Sequence, residues 1–117
     1  DRAANIRANA AAFGLSHRLS VSEADWPAAL ANLPTPDAIF IGGGADQAGL
    51  ETIWPHLPKE TRLVINAVTI ESEMLIVDWQ RQKGGTLLRF DVAQAQPLGR
   101  MLGWVPSRPV VQWSVQI

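Results

Sequence analysis

The stretch Pro36 to Gly44, PDAIFIGGG, decides how the rest of the chain is read. Asp37 introduces four consecutive apolar residues, Ala38 to Ile41, and three glycines follow. This is the pattern of a parallel strand buried on both faces that ends in a loop. Glycine carries no Cβ, so a ligand can approach the backbone there. In open α/β sheets the ligand crevice lies beyond the carboxyl ends of the strands, which makes Gly42, Gly43 and Gly44 the first place to look for a site. The competing reading of the same glycines is a flexible strand-to-helix turn with no ligand.

On the N-terminal side, Ala3, Ile6, Ala10 and Phe13 recur at spacings of three and four, one apolar helix face, and Gly14 supplies the stop. Leu19 and Val21 then alternate with Ser20 and Ser22, predicting a short strand from Arg18 to about Ala24. Asp25 is placed to cap a short helix, Trp26 to Leu30, with Pro27 in its first turn. Pro34 and Pro36 end that helix and lead into the central strand.

On the C-terminal side, Leu50, Ile53, Trp54 and Leu57 form a helical stripe closed by Pro55 and Pro58. Leu63, Val64 and Ile65 predict a second buried strand ending at Asn66. Thr69 can cap a helix from Ile70 to Gln82 whose Ile70, Met74 and Val77 share a face, and Lys83, Gly84 and Gly85 stop it. The pattern then changes to alternation. Leu88, Phe90 and Val92 form one half-buried strand, and Val111, Trp113, Val115 and Ile117 another. Between them Gln94 to Pro109, rich in Gly and Pro, reads as a long irregular loop, functional or an interface. Helices alternating with strands and finished by an antiparallel pair predict an α/β, Rossmann-like fold.

Composition narrows the function classes. With 117 residues, 47% hydrophobic and 18% charged, one domain with a buried core is expected. A net charge of −1 with scattered Lys and Arg argues against nucleic acid as the main partner. No cysteine is present, which excludes disulfides, thiolate metal sites and thiol catalysis. His17 and His56 stand too far apart in sequence to suggest a histidine metal cluster, and no metal is expected. The chain holds no apolar run long enough to span a bilayer, so no membrane partner is expected, and a cytoplasmic location is compatible with this composition.

RAANIRANAAAFGL, PDAIFIGGG, RLVINAVTIESE, QPLGR and PVVQW follow one another along nearly the whole chain. In that order they resemble the C-terminal, T-type domain of the precorrin-6Y C(5,15)-methyltransferase (decarboxylating) family of cobalamin biosynthesis. FIGGG, NAVTIESE and PLGR with QW downstream are the most specific parts. The resemblance implies a class I S-adenosylmethionine-dependent methyltransferase fold, S-adenosylmethionine as cofactor, and a precorrin tetrapyrrole as substrate. It also implies methylation of carbon 15, decarboxylation of the acetate side chain on carbon 12, and a homotetramer.

Carried over residue by residue, Ala24, Asp25 and Trp26 stand where the family holds the adenine of the donor. Here Ala24 replaces the usual Gly, and Trp26 the usual Ala. Gly42, Gly43 and Gly44 correspond to the loop where the donor's methionine portion meets the substrate. Asn66, Glu71 and Glu73 are the acid–base candidates of the NAVTxESE segment, and Thr69 and Arg100 are substrate-binding candidates. Each has a plainer reading: Glu71 and Glu73 as carboxylates at a helix N-terminus, Arg100 and Arg108 as solvated surface charges. Trp54, Trp79 and Trp113 are expected in the core, and Trp104 against a neighbouring subunit.

The family's first two strands, with the glycine-rich donor loop and the ribose-holding acid, are not among these residues. Residues 1–117 are therefore expected to be a partial methyltransferase domain that binds the donor poorly by itself. Two other readings compete: a class I methyltransferase for another substrate such as tRNA, and a non-catalytic fragment acting in oligomer assembly.

Overall fold

The computed structural model describes all 117 residues, in two compact units, Asp1–Pro34 and Thr35–Ile117.

In the first unit helix α1 spans Arg2–Ala12. Asp1 caps it, its carboxylate accepting from the Ala3 N–H at 3.0 Å. At the other end the Gly14 N–H donates to the Ala11 carbonyl and the Leu15 N–H to the Ala10 carbonyl, a Schellman stop that needs the positive φ of +68° at Gly14. Ala3 and Ala10 are buried, whereas Ile6 and Phe13 of the expected stripe are exposed.

The strand expected at Arg18 to Ala24 does not form. The Asp1–Pro34 unit holds no second extended segment to pair with it, and a strand without a ladder is only extended coil. The helix expected from Trp26 is a 3₁₀ turn at Ala28–Asn32. Pro27 lies just outside it, and Asp25 contributes its backbone carbonyl, accepting from the Ala29 N–H at 2.9 Å, with no side-chain cap.

The second unit is built on strands β1 (Ala38–Ile41), β2 (Arg62–Ala67), β3 (Thr86–Phe90) and β6 (Val110–Gln116) in the order β1-β2-β6-β3. β1 and β2 are parallel, and β6 runs antiparallel to both β2 and β3. Helices α2 (Gln47–Ile53) and α3 (Ile70–Lys83) follow β1 and β2. Asp46 caps α2 through the Gly49 N–H at 2.7 Å, and Thr69 caps α3 through the Ser72 N–H at 3.1 Å.

One face of the sheet is the core. Leu63, Ile65, Ala67, Val111, Trp113 and Val115 are buried there, with Leu50 and Ile53 of α2 and Ile76 and Trp79 of α3. Trp54, Trp79 and Trp113 cluster, Trp54 stacking on Trp113 at 6.1 Å with 12° between the rings. The core role expected of these tryptophans holds for Trp79 and Trp113, while Trp54 is half-buried at the margin of the cluster.

Three expectations about faces fail, the first two because, within this unit, helices cover only one side of the sheet. β1 is an edge strand rather than a strand buried on both faces, and Phe40 is 64% exposed. Leu88 and Phe90 are registered with Gln112 and Val110, on the open face, while Leu87 opposite Trp113 turns inward. In α3 it is Ile76 and Trp79 that are buried, and Ile70 and Met74 face outward. Two apolar stripes compete on that helix, and the one carrying the indole buries the larger area.

The segment Gln94 to Pro109 is not an irregular loop. It forms the antiparallel hairpin β4 (Ala93–Leu98) and β5 (Met101–Pro106), a separate two-stranded sheet. Pro97, Gly103 and Pro106 read as breakers, but each strand of a two-stranded ribbon has an outer edge where a missing N–H costs nothing. Trp104 accordingly lies on β5 and is 76% exposed.

Candidate active site

Parallel pairing sets the carboxyl ends of β1 and β2 side by side. Ile41 is registered with Ile65, so Gly42 leaves β1 level with Asn66. The antiparallel β6 begins at the same edge, with Val111 opposite Ala67 and Gln112 opposite Asn66, and β3 ends there at Phe90. The base of the β4–β5 hairpin rises from it too, tied by the Ser107 N–H to the Val92 carbonyl at 2.8 Å.

Gly42, Gly43 and Gly44 are exposed at this edge. Gly44 needs glycine for its own conformation, with φ at +77°. Gly43 does not: its φ is not in the left-handed range, and a Cβ built there would meet nothing within 4 Å. A Cβ on Gly42 would touch only the mobile end of the exposed Phe40 ring, at 3.3 Å. No hydrogen bond within the protein uses the N–H of Gly43 or Gly44 in a turn or loop. The loop is thus a bare backbone with free donors, which fits the close approach of an anionic or carboxylate-bearing group.

Asn66 is half-buried, its Oδ1 accepting from Gln112 Nε2 at 2.9 Å. Thr69 stands one turn on, but its hydroxyl is occupied: it accepts from the Ser72 N–H and donates to Ser72 Oγ at 2.8 Å. Its geometry is that of a helix cap. Glu71 and Glu73 lie in the first turn of α3, where carboxylates offset the helix dipole, and neither forms an ion pair. Glu73 adds to the field at Arg89. That guanidinium is held above its usual range chiefly by its hydrogen bond to Asp91, 3.0 Å from Nε, and by the charge of Asp91.

The structure brings Gly42–Gly44, Asn66, Thr69 and the start of α3 to one edge. Arg100 is elsewhere, exposed in the turn at the hairpin tip, six residues along a strand from the edge. At about 3.3 Å per residue that is on the order of 20 Å. Ala24, Asp25 and Trp26 belong to the Asp1–Pro34 unit. There the Asp25 carboxylate is exposed and free of any ion pair, and the Trp26 indole N–H is buried without an acceptor. The open carboxylate is an acceptor of the kind an adenine amino group needs, whereas the indole N–H is sealed in the protein and faces no ligand.

Sequence reading missed Gln112 and Asp46. Gln112 was visible only as a polar residue in an alternating strand, and nothing in one sequence says which residue lies across the ladder. Asp46 was legible in principle, as an Asx residue directly before a helix.

The sequence profile of the precorrin methyltransferase domain matches residues 1–117. The chain is 50% identical, over 97% of its length, to the precorrin-6Y C(5,15)-methyltransferase [decarboxylating] of a Sinorhizobium species, of which it spans 28%. It is 32% identical, over 81% of its length, to a Pyrobaculum aerophilum protein named probable cobalt-precorrin-6B C(15)-methyltransferase (decarboxylating), and covers 48% of that protein. Among solved structures, the C-terminal domain of precorrin-6Y C5,15-methyltransferase from Rhodobacter capsulatus is 52% identical with a TM-score of 0.95. That match takes in 100% of this chain and 64% of the other. The fold is that of the S-adenosylmethionine-dependent methyltransferases. Since the glycine loop, the NAVTIESE edge and the closing antiparallel strands all fall inside the matched length, the chain belongs to the precorrin methyltransferase domain family.

Proposed function

We propose that this domain serves S-adenosylmethionine-dependent methylation of carbon 15 of a precorrin, with loss of carbon dioxide from the acetate side chain on carbon 12, in cobalamin biosynthesis. The observation that carries the reading is Gly43, a glycine that neither backbone conformation nor packing requires, at the carboxyl edge of the sheet with its amide unused. Support for carbon 15 comes from the Pyrobaculum aerophilum relative, whose name carries that position alone together with decarboxylation.

Bound S-adenosylmethionine supplies an electrophilic methyl group on a sulfonium sulfur. The amides of Gly43 and Gly44 suit its methionine carboxylate. Asn66 offers an amide to the substrate at the same edge. The substrate is flat, large and polyanionic, and an edge without a deep lid admits it. Glu71 and Glu73 remain the carboxylates available for proton transfer there, and Arg100 and Thr69 are lesser candidates for substrate contact. We infer further that a second copy covers the hairpin, where Leu98, Met101, Leu102 and Trp104 are all more than two-thirds exposed; a homotetramer accommodates such a contact.

The test is methyl transfer from donor with a labelled methyl group to a precorrin-6 substrate, using the full-length protein that carries this domain. A product that gains the label and loses carbon dioxide supports the reading. Labelled product that retains the acetate carboxylate, or no transfer at all, contradicts it.

A further inference from the structure

On the open face of the sheet most side chains next to Asn66 and Gln112 are apolar, Ser114 opposite Val64 being the polar exception. Val64 precedes Asn66 on that face, Leu88 stands across the ladder from Gln112, and Phe90 pairs with Val110 beside it. A polar cross-strand pair in such a setting adds little to stability. Its position is more informative: it is the last polar row before the carboxyl edge, level with the start of the glycine loop.

The pairing also has a direction. A primary amide has an acceptor end and a donor end, and Gln112 Nε2 donates to Asn66 Oδ1 at 2.9 Å, which uses the acceptor end. No side chain or backbone group accepts from Asn66 Nδ2, yet that nitrogen is not sealed in the protein, the one buried orphan side-chain atom being Trp26 Nε1. Its two N–H bonds are therefore free and turned away from Gln112.

We propose that Gln112 is a positioning residue for Asn66. It fixes the Asn66 amide donor-end outward, so that Nδ2 hydrogen-bonds a carboxylate of a polycarboxylate substrate at the carboxyl edge. This rests on the reading that a precorrin is the substrate. The donor's own carboxylate is served by the glycine loop, so Gln112 acts on the substrate alone. Two variants separate the cases. In Gln112→Leu the amide is no longer pinned. In Gln112→Glu the carboxylate can only accept, so the Asn66 amide turns over and presents its oxygen to the substrate carboxylate.

The experiment uses the full-length protein in two readouts. Steady-state kinetics of wild type, Gln112→Leu and Gln112→Glu give kcat and KM separately for precorrin and donor. Nuclear magnetic resonance follows the Asn66 side-chain amide, assigned by its loss in Asn66→Asp, during titration with uroporphyrin as an unreactive polycarboxylate tetrapyrrole. In both Gln112 variants kcat/KM for the precorrin should fall roughly tenfold or more, as misplacement of a positioning contact does. The donor KM should stay at its wild-type value, with the Glu variant the lower of the two in precorrin kcat/KM. The Asn66 amide should shift with uroporphyrin in wild type and not in Gln112→Leu. Unchanged precorrin kinetics, equal loss toward both substrates, or an amide that responds alike in wild type and Gln112→Leu overturns the proposal. Should wild type transfer no methyl group, the functional reading fails by itself, and the uroporphyrin titration still decides the role of Gln112.

Discussion

Trp113 Nε1 donates to the carbonyl of Gly84 at 2.8 Å, fastening the middle of β6 to the residue that ends α3. The indole is fully buried and would otherwise carry an unpaired donor into the core. The chain then turns through Gly85 at φ +88°, passing so close to β6 that a Cβ on Gly85 would fall against the Ser114 carbonyl oxygen, with Trp113 Nε1 and Val115 Cβ both at 2.9 Å.

The two glycines should therefore respond differently. Gly84 has open space around it but an all-but-glycine backbone conformation, φ 80° and ψ −158°, so Gly84→Ala should cost about 1–3 kcal/mol. Gly85→Ala should lose more, by about 1–3 kcal/mol of overpacking against backbone that cannot yield. Urea unfolding of both variants checks the order; a smaller loss for Gly85→Ala would contradict it.

Gln47, the first residue of α2, accepts from Trp79 Nε1 at 2.8 Å and donates to Glu51 at 2.6 Å. Because Trp79 is buried, Gln47→Leu strands its indole N–H and should cost about 1–3 kcal/mol. Gln47→Glu keeps the acceptor for Trp79, and its cost is confined to the exposed contact with Glu51, where the donated bond is lost and like charges stand four residues apart, about 0.2–0.5 kcal/mol for the repulsion. Thermal unfolding that ranked the Glu variant below the Leu variant would show that the hydrogen bond is not what stabilises this contact.

Gly43→Val should leave the fold intact, since open space surrounds the position, and abolish donor binding by filling the approach to the loop amides. Calorimetric titration with S-adenosylhomocysteine against the full-length protein reads this directly. Wild-type affinity in Gly43→Val would remove the glycine loop from the donor site.

The hairpin carries Met101, Leu102 and Trp104 at 78%, 72% and 76% exposure, more apolar surface than a lone two-stranded ribbon keeps in water without cost. Replacing Met101 and Trp104 together by Ser should shift the assembly toward monomer in sedimentation velocity, without loss of secondary structure. A wild-type protein already monomeric at micromolar concentration would exclude the contact.

Much of the architecture was legible in the sequence because it rests on local rules. Asp37 through Gly44 marked a strand and its loop, Gly14 and Gly84 marked helix stops, and Thr69 marked a cap. What failed depended on neighbours. Phe40 and Leu88 are apolar by type, but whether they face a helix is decided by which side of the sheet α2 and α3 take, information that periodicity does not hold. The Arg18 to Ala24 segment has a strand's alternation and no partner within its unit. The hairpin hid behind Pro97, Gly103 and Pro106, which break a central strand but not a two-stranded ribbon. At the candidate site, the glycines and Asn66 were visible from type and position. Gln112 was not, because its significance lies in the Asn66–Gln112 register, a tertiary fact.

The central claim is that the carboxyl edge around Gly43 and Asn66 carries methyl transfer to a precorrin with decarboxylation. Mass spectrometry of the product formed by the full-length protein from a precorrin-6 substrate and methyl-labelled S-adenosylmethionine tests it most directly, with Gly43→Val run alongside. The account predicts that the wild-type product gains the labelled methyl and loses one carbon dioxide, and that Gly43→Val forms neither change. Transfer and decarboxylation at wild-type rate in Gly43→Val would contradict it.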